Sequence, residues 1–200
     1  EEEELAILNG LIEKIISLKK KKNILIVDLH NTSSPNGVFT IVNDEKEIKI
    51  AKHLSIPVVS NLFSKVKGSL ANYYHNKNVT SIVFEGGSIG DPASINNHEA
   101  GIWKILEKNK FIAPEAMPKR VVDNYNQMKV FAKDVSGQYS VKYIHKIKKI
   151  DNFLMNPNMR NFDYIEKNQV VAHDKKGTIK SPCKGYLLMP LYQEQGNEGF

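Results

Sequence analysis

Two apolar runs in this 200-residue chain end in groups that can do chemistry. One runs Asn23-Ile24-Leu25-Ile26-Val27-Asp28-Leu29-His30 and continues as Asn31-Thr32-Ser33-Ser34. The other, Val79-Thr80-Ser81-Ile82-Val83-Phe84, delivers Glu85 into a Gly86-Gly87 turn. In open α/β sheets, sites gather at the carboxyl ends of strands. A histidine at the tip of a buried strand is placed to bind a metal, and a nearby carboxylate can serve as general base. The two glycines let the backbone turn sharply or approach a ligand closely. Each residue also has a plainer reading, since strand-end histidines are often structural and strand-end glutamates are often simply solvated. Asp28 fits two roles equally, supporting the site or bonding to backbone. His98 and Glu99 are adjacent on an expected helix and diverge, so they form no i, i+4 metal pair, and His98 reads as a packing or capping residue. His53, His75, His145 and His173 lie in unrelated segments and read as surface residues.

These side chains need elements to hold them. Leu5, Leu8, Ile12, Ile15 and Ile16 recur at helical spacing, so the first twenty residues read as an amphipathic helix. The lysine run 19–22 suits its C-terminal end. The run ending at His30 suits a strand buried on both faces, as in a parallel sheet. Strands over 38–42, 56–59 and 79–84 alternate with helices over 45–54, 68–76, 95–108 and 120–133. Asp91-Pro92 reads as an N-cap with proline at the first helical position. The expected fold class is therefore α/β, a sheet with flanking helices. From about residue 135 the pattern changes to short strands and turns, over 139–147, 162–165, 170–172, 177–179 and 185–192, which suits a small β-barrel or sandwich. The expected division is 1–134 for the α/β part and 135–200 for a β-rich part.

Composition narrows the partners. The apolar fraction of 41% suits an ordinary soluble core, and no apolar run approaches the roughly 20 residues that cross a bilayer. The formal charge of +6 comes almost wholly from lysine, because Arg120 and Arg160 are the only arginines. Phosphate recognition favours arginine, so the charge argues weakly for nucleic acid. A looser lysine group, Lys142, Lys146, Lys148 and Lys149, reads as exposed strand faces. The single cysteine, Cys183, has no internal disulfide partner, which makes a reducing cytoplasm the default. It reads as a small buried side chain. The chain opens on Glu1 and closes on Gly199-Phe200, and both ends are expected to be cut rather than natural.

The wording of the two segments carries more than their position. Asp28-Leu29-His30-Asn31-Thr32 resembles the Asp-x-His-x-Thr signature of the succinylglutamate desuccinylase and aspartoacylase family, a deacylase branch of the zinc-carboxypeptidase-like fold. Phe84-Glu85-Gly86-Gly87, with Asp91-Pro92 and Asn97-His98-Glu99-Ala100, is similar to the family's catalytic-glutamate segment and the helix after it. Gly185-Tyr186-Leu187-Leu188-Met189-Pro190-Leu191-Tyr192 resembles its β-rich C-terminal region. The resemblance implies a mixed sheet with flanking helices, then a small mainly-β domain. It implies zinc as cofactor, His30 as a ligand and Glu85 as the catalytic carboxylate. It assigns Asp28 a supporting role, and Thr32 and Tyr192 contacts to substrate. The implied substrate is a small N-acyl amino acid or related amide. A homo-oligomer is open, and neither nucleic acid nor membrane is expected as a partner. The family's other two zinc ligands come from a His-x-x-Glu motif upstream of the matched region, and no histidine here has a suitable ligand three or four residues away. The chain is therefore expected to hold only part of the site, to bind zinc weakly and to be inactive alone. A carboxypeptidase-like peptidase and a non-catalytic binding domain of the same fold stand as alternatives.

Overall fold

The computed structural model describes residues 2–19, 23–66, 68–192 and 199–200. Its sheet is organised around β4 (Thr80–Ser88), which is buried from Thr80 to Gly87. β1 (Leu25–Thr32) pairs with it in parallel on one side, and β2 (Val38–Val42) antiparallel on the other. β3 (Val58–Ser60) and β5 (Gln138–Ser140) follow in parallel, giving the order β1-β4-β2-β3-β5. The sheet is therefore mixed, flanked by α1 (Glu2–Lys19), α2 (Glu45–Ala51), α3 (Leu70–Asn76), α4 (Ala93–Lys108) and α5 (Lys119–Ala132).

Alternation along β4 divides the core. Ile82 and Phe84 point to one face and pack with Leu54, Ala100, Ile105, Val121 and Met128 beneath α4 and α5. Gly101 lets α4 come this close, because a Cβ there would meet the Phe84 ring. Val83 and Glu85 point to the other face, among Phe39, Ile41, Val59, Phe63 and Phe162. Phe84 is fully buried, and truncating such a ring to alanine costs about 3–5 kcal/mol.

The chain after β5 returns to cover the Glu85 face. Phe162 meets Phe39 edge-on at 5.5 Å between ring centroids. β6 (Leu154–Met155), β8 (Val170–Asp174) and β9 (Gly177–Lys180) form a three-stranded antiparallel sheet, while β7 (Tyr164–Ile165) pairs with β10 (Gly185–Tyr186). Met155, Ile165, Val171, Ala172 and Leu187 fill their shared core.

Three expectations need correction. β1 is not enclosed as a central strand. It is an edge strand, half-buried, because only β4 pairs with it among the described residues, and Leu29 stays 41% exposed. Gln138–Ser140 belongs to the main sheet, since its backbone continues the β3 ladder. Beyond Ser140 the 139–147 strand fades, and Lys142, Lys146, Lys148 and Lys149 are exposed outside any strand, Lys146 at a single β-bridge and Lys149 at the start of a short 3-10 helix. Lys19 does end α1, whereas 20–22 and the Leu5 side chain lie outside the described residues.

Candidate active site

His30 and Glu85 are direct partners in the β1–β4 ladder. Opposite residues of neighbouring strands share a face, with backbones about 4.8 Å apart. Asp28, two residues before His30, shares that face as well. Its Oδ1 lies 3.0 Å from His30 Nε2. The structure thus brings together the three residues on which the sequence reading centred, at the carboxyl ends of two parallel strands.

Their environments differ sharply. Glu85 is 3% exposed, and its Oε2 has no hydrogen-bond partner among the described residues. Burial pushes its carboxyl up from 4.5 to about 7, with the His30 charge pulling it down and Asp28 adding a smaller upward push. His30 is half-exposed. Its hydrogen bond to Asp28 raises its pKa against the opposing effect of burial. A proton acceptor tuned near neutrality thus faces an imidazole held by a carboxylate.

The first turns of α4 clamp both strand ends. Just ahead of the helix Asp91 Oδ1 accepts from Ala93 N at 2.9 Å, but the cap position falls on Pro92, one residue later than expected, and carries no side-chain cap bond. Asn97 Nδ2 donates to Gly86 O at 2.8 Å, and Asn31 Nδ2 donates to Ser94 Oγ at 3.3 Å. His98 Nε2 lies 3.0 Å from the His30 carbonyl oxygen. A carbonyl only accepts, so Nε2 carries the proton. This bond falls where the β1–β4 register slips, between His30 and Thr32. The His98 ring also meets Phe84 edge-on at 5.3 Å, and burial lowers its pKa. Gly86 makes room for that ring, since a Cβ there would collide with it. His98 is a packing residue, as expected, and what it packs is the backbone that carries the site.

No family model matches the chain, and no curated protein matches it either. Solved structures do. Succinylglutamate desuccinylase from Vibrio cholerae superposes with a TM-score of 0.62 at 13% identity, covering 98% of this chain and 58% of that one. The product-bound ectoine utilization protein EutE from Ruegeria pomeroyi gives 0.59 at 12% identity, over 88% and 55%. A succinylglutamate desuccinylase/aspartoacylase from Rhodobacter sphaeroides gives 0.56 at 12% identity, over 86% and 54%. This chain has the desuccinylase/aspartoacylase fold. It spans little more than half the length of these structures.

Within that fold, two further candidates make contacts of their own. Thr32 is buried at 2% exposure, and its hydroxyl accepts from Ser34 N at 3.3 Å, so it shapes the turn after β1. The Tyr192 hydroxyl accepts from Met159 N at 2.8 Å and lies 2.7 Å from Asn156 O, which commits it to the 156–159 turn. The residue that does reach the strand end from the C-terminal region is Asn161. Fully buried, it donates to Ser34 O and Pro35 O at 3.2 and 3.0 Å and accepts from Met189 N at 2.6 Å. Ser33 Oγ reinforces the junction through Pro190 O at 3.2 Å. Sequence spacing gave no signal for Asn161, since its partners lie far away along the chain.

The desuccinylase/aspartoacylase fold raises the question of a metal. A catalytic zinc takes three protein ligands and an open position. His30 offers one nitrogen and Asp28 an adjacent oxygen, but the described residues form no three-ligand group around them. Such a group exists elsewhere: ligand atoms of Asp44, Glu47 and His75 lie within 4.8 Å of one another and could hold a metal ion. Its Glu47 is already heavily engaged, accepting from Asn43 N at 2.7 Å and Ser81 N at 3.1 Å, with His75 Nδ1 also 3.1 Å away. His75 is therefore a half-buried partner of Glu47 rather than the surface residue expected. His145 is likewise not free, since it stacks on Phe200 at 5.2 Å.

Proposed function

We propose that this chain belongs to the succinylglutamate desuccinylase/aspartoacylase family and carries part of the active site of a zinc-dependent hydrolase that cleaves the amide of a small N-acyl amino acid. The observation that carries this reading is the buried carboxyl of Glu85, whose Oε2 has no partner among the described residues, facing His30 across a parallel strand pair. His30 would be one zinc ligand, with the rest of the coordination sphere outside the described residues. Zinc, when bound, supplies polarisation of the amide carbonyl and acidification of water. The chain's own part is proton traffic. Glu85, poised near neutrality, takes a proton from the attacking water and returns it to the departing amine nitrogen. Asp28 holds the His30 ring in one orientation. The α4 side chains fix the two strand ends relative to each other.

In the same reading the hydrolase layer is residues 1–134, to which the β-rich part, 135–200, adds β5 as an edge strand. The protein works in the cytoplasm on a small-molecule amide. No described helix is long and apolar enough to cross a membrane. One observation favours the second reading, a non-catalytic domain of this fold: the His30 nitrogen is already paired with Asp28, and no three-ligand group surrounds it. Reading the gene upstream of Glu1 for a His-x-x-Glu motif separates the two. A panel of N-acyl amino acids set beside C-terminal peptides then tests the activity of the gene's whole product. Hydrolysis of the acyl amino acids alone supports the deacylase. Peptide cleavage alone would make the protein a carboxypeptidase relative, and turnover of neither would leave a binding domain.

A further inference from the structure

A cavity of about 340 Å³ lies between β5 and the β7–β10 pair. That is within the range of small-molecule sites, roughly 300–1,000 Å³. None of Asp28, His30 or Glu85 lines it. Its walls are apolar and aromatic, with Tyr139 at their centre. Tyr139 lies 5.1 Å from Phe162 and meets Tyr186 edge-on at 5.3 Å. Among the described residues the charged side chains on the lining are Lys142 and Lys184, both exposed, with no Asp or Glu. Neither lysine has an ion-pair partner among the described residues. Two unpaired ammonium groups beside an aromatic cavity complement a guest with a flat apolar body and one negative charge.

We propose that this cavity binds an aromatic monocarboxylate, its ring among Tyr139, Phe162 and Tyr186 and its carboxylate toward Lys142 and Lys184. Size supports the class. At about 340 Å³ it lies at the small end of the roughly 300–1,000 Å³ range of small-molecule sites, which suits a guest of one ring and a short side arm. The charge excludes amines. Both arginines lie off the lining, so the fork that favours phosphate is missing. Cys183, the one cysteine of the chain, is half-buried on the lining and reports on occupancy.

The test uses 3-phenylpropanoate with the purified chain, read by titration calorimetry and by the rate at which a thiol reagent labels Cys183. The site predicts saturable binding with Kd below roughly 1 mM and labelling slowed about fivefold or more at saturation. The matched amine, 3-phenylpropylamine, should give neither effect. Lys142→Gln with Lys184→Gln should weaken the carboxylate about tenfold. Tyr186→Ala should weaken it at a temperature well below the variant's own melting point, which the lost contacts with Tyr139 and Tyr164 lower. His30→Ala should leave binding intact, so a carboxylate captured at the strand-end site is told apart. Equal binding of the amine, binding without protection of Cys183, loss on His30→Ala, or unchanged affinity in the lysine variant would overturn the proposal.

Discussion

Glu85 is costly to the fold. Its carboxyl holds a proton until about pH 7 in the folded chain, against 4.5 when unperturbed. Between these values the folded state binds more protons than the unfolded one, so stability falls as pH rises through that window and is level above it. The integrated effect is on the order of 3 kcal/mol. Glu85→Gln removes it. With a chelator present, the variant should melt close to the parent at pH 4.5 and above it at pH 8, by about 2–4 °C per kcal/mol recovered. A constant difference across this range would mean that Glu85 is not held protonated by burial. The neighbouring contact of His98 with Gly86 makes a second residue-scale test. Gly86→Ala forces the His98 ring off the His30 carbonyl and should cost about 1–3 kcal/mol. Adding His98→Ala makes room for the new methyl. The double variant should therefore be more stable than the sum of the single losses, by about 0.5–3 kcal/mol of coupling, measured by denaturant unfolding. Additive losses would show that the two do not touch.

At the scale of elements, the helices and the main strands were legible because each follows one local rule. The helix over 95–108 shows its apolar spacing and its Asp91-Pro92 start, and the strand leading to Glu85 is dominated by β-branched and aromatic residues. What was not legible depends on pairing. An apolar run such as Ile24–Val27 looks the same at an edge as at the centre, since helices cover both its faces either way. The short β6 and the place of β5 in the sheet are set by partners distant in sequence. Asn161 and Glu47 are of the same kind: buried polar side chains whose role is to satisfy remote backbone groups. Glu47 links the end of β2, α2, α3 and β4 through Asn43 N, Ser81 N and His75. Glu47→Ala strands one buried and one part-buried N–H group and should cost about 2–4 kcal/mol, while Glu47→Gln should cost less because its carbonyl still accepts. Thermal melts of both variants check the order, and an alanine variant as stable as the parent would remove Glu47 from the scaffold.

For the whole molecule, two surfaces stand out. Among the described residues β1 leaves a strand edge open, and α1 exposes Ile7 at 68% and Leu11 at 53%. An open, apolar strand edge invites pairing with another chain. The 200-residue chain alone should self-associate as its concentration rises through about 10–100 µM. Leu29→Lys should reduce that, since edge lysines block such pairing. Sedimentation velocity of both proteins decides it, and a parent chain that stays monomeric throughout would show the edge to be harmless.

The central claim is that His30 and Glu85 form one hydrolytic site, with Glu85 moving the proton and His30 holding the metal. It is tested most directly in the gene's whole product by measuring zinc content and N-acyl amino acid turnover together, in the parent and in Glu85→Gln. The account predicts that zinc is retained and turnover drops by about 10²–10⁴-fold. Loss of zinc along with activity would make Glu85 a ligand rather than the proton carrier, and undiminished turnover would place the chemistry elsewhere.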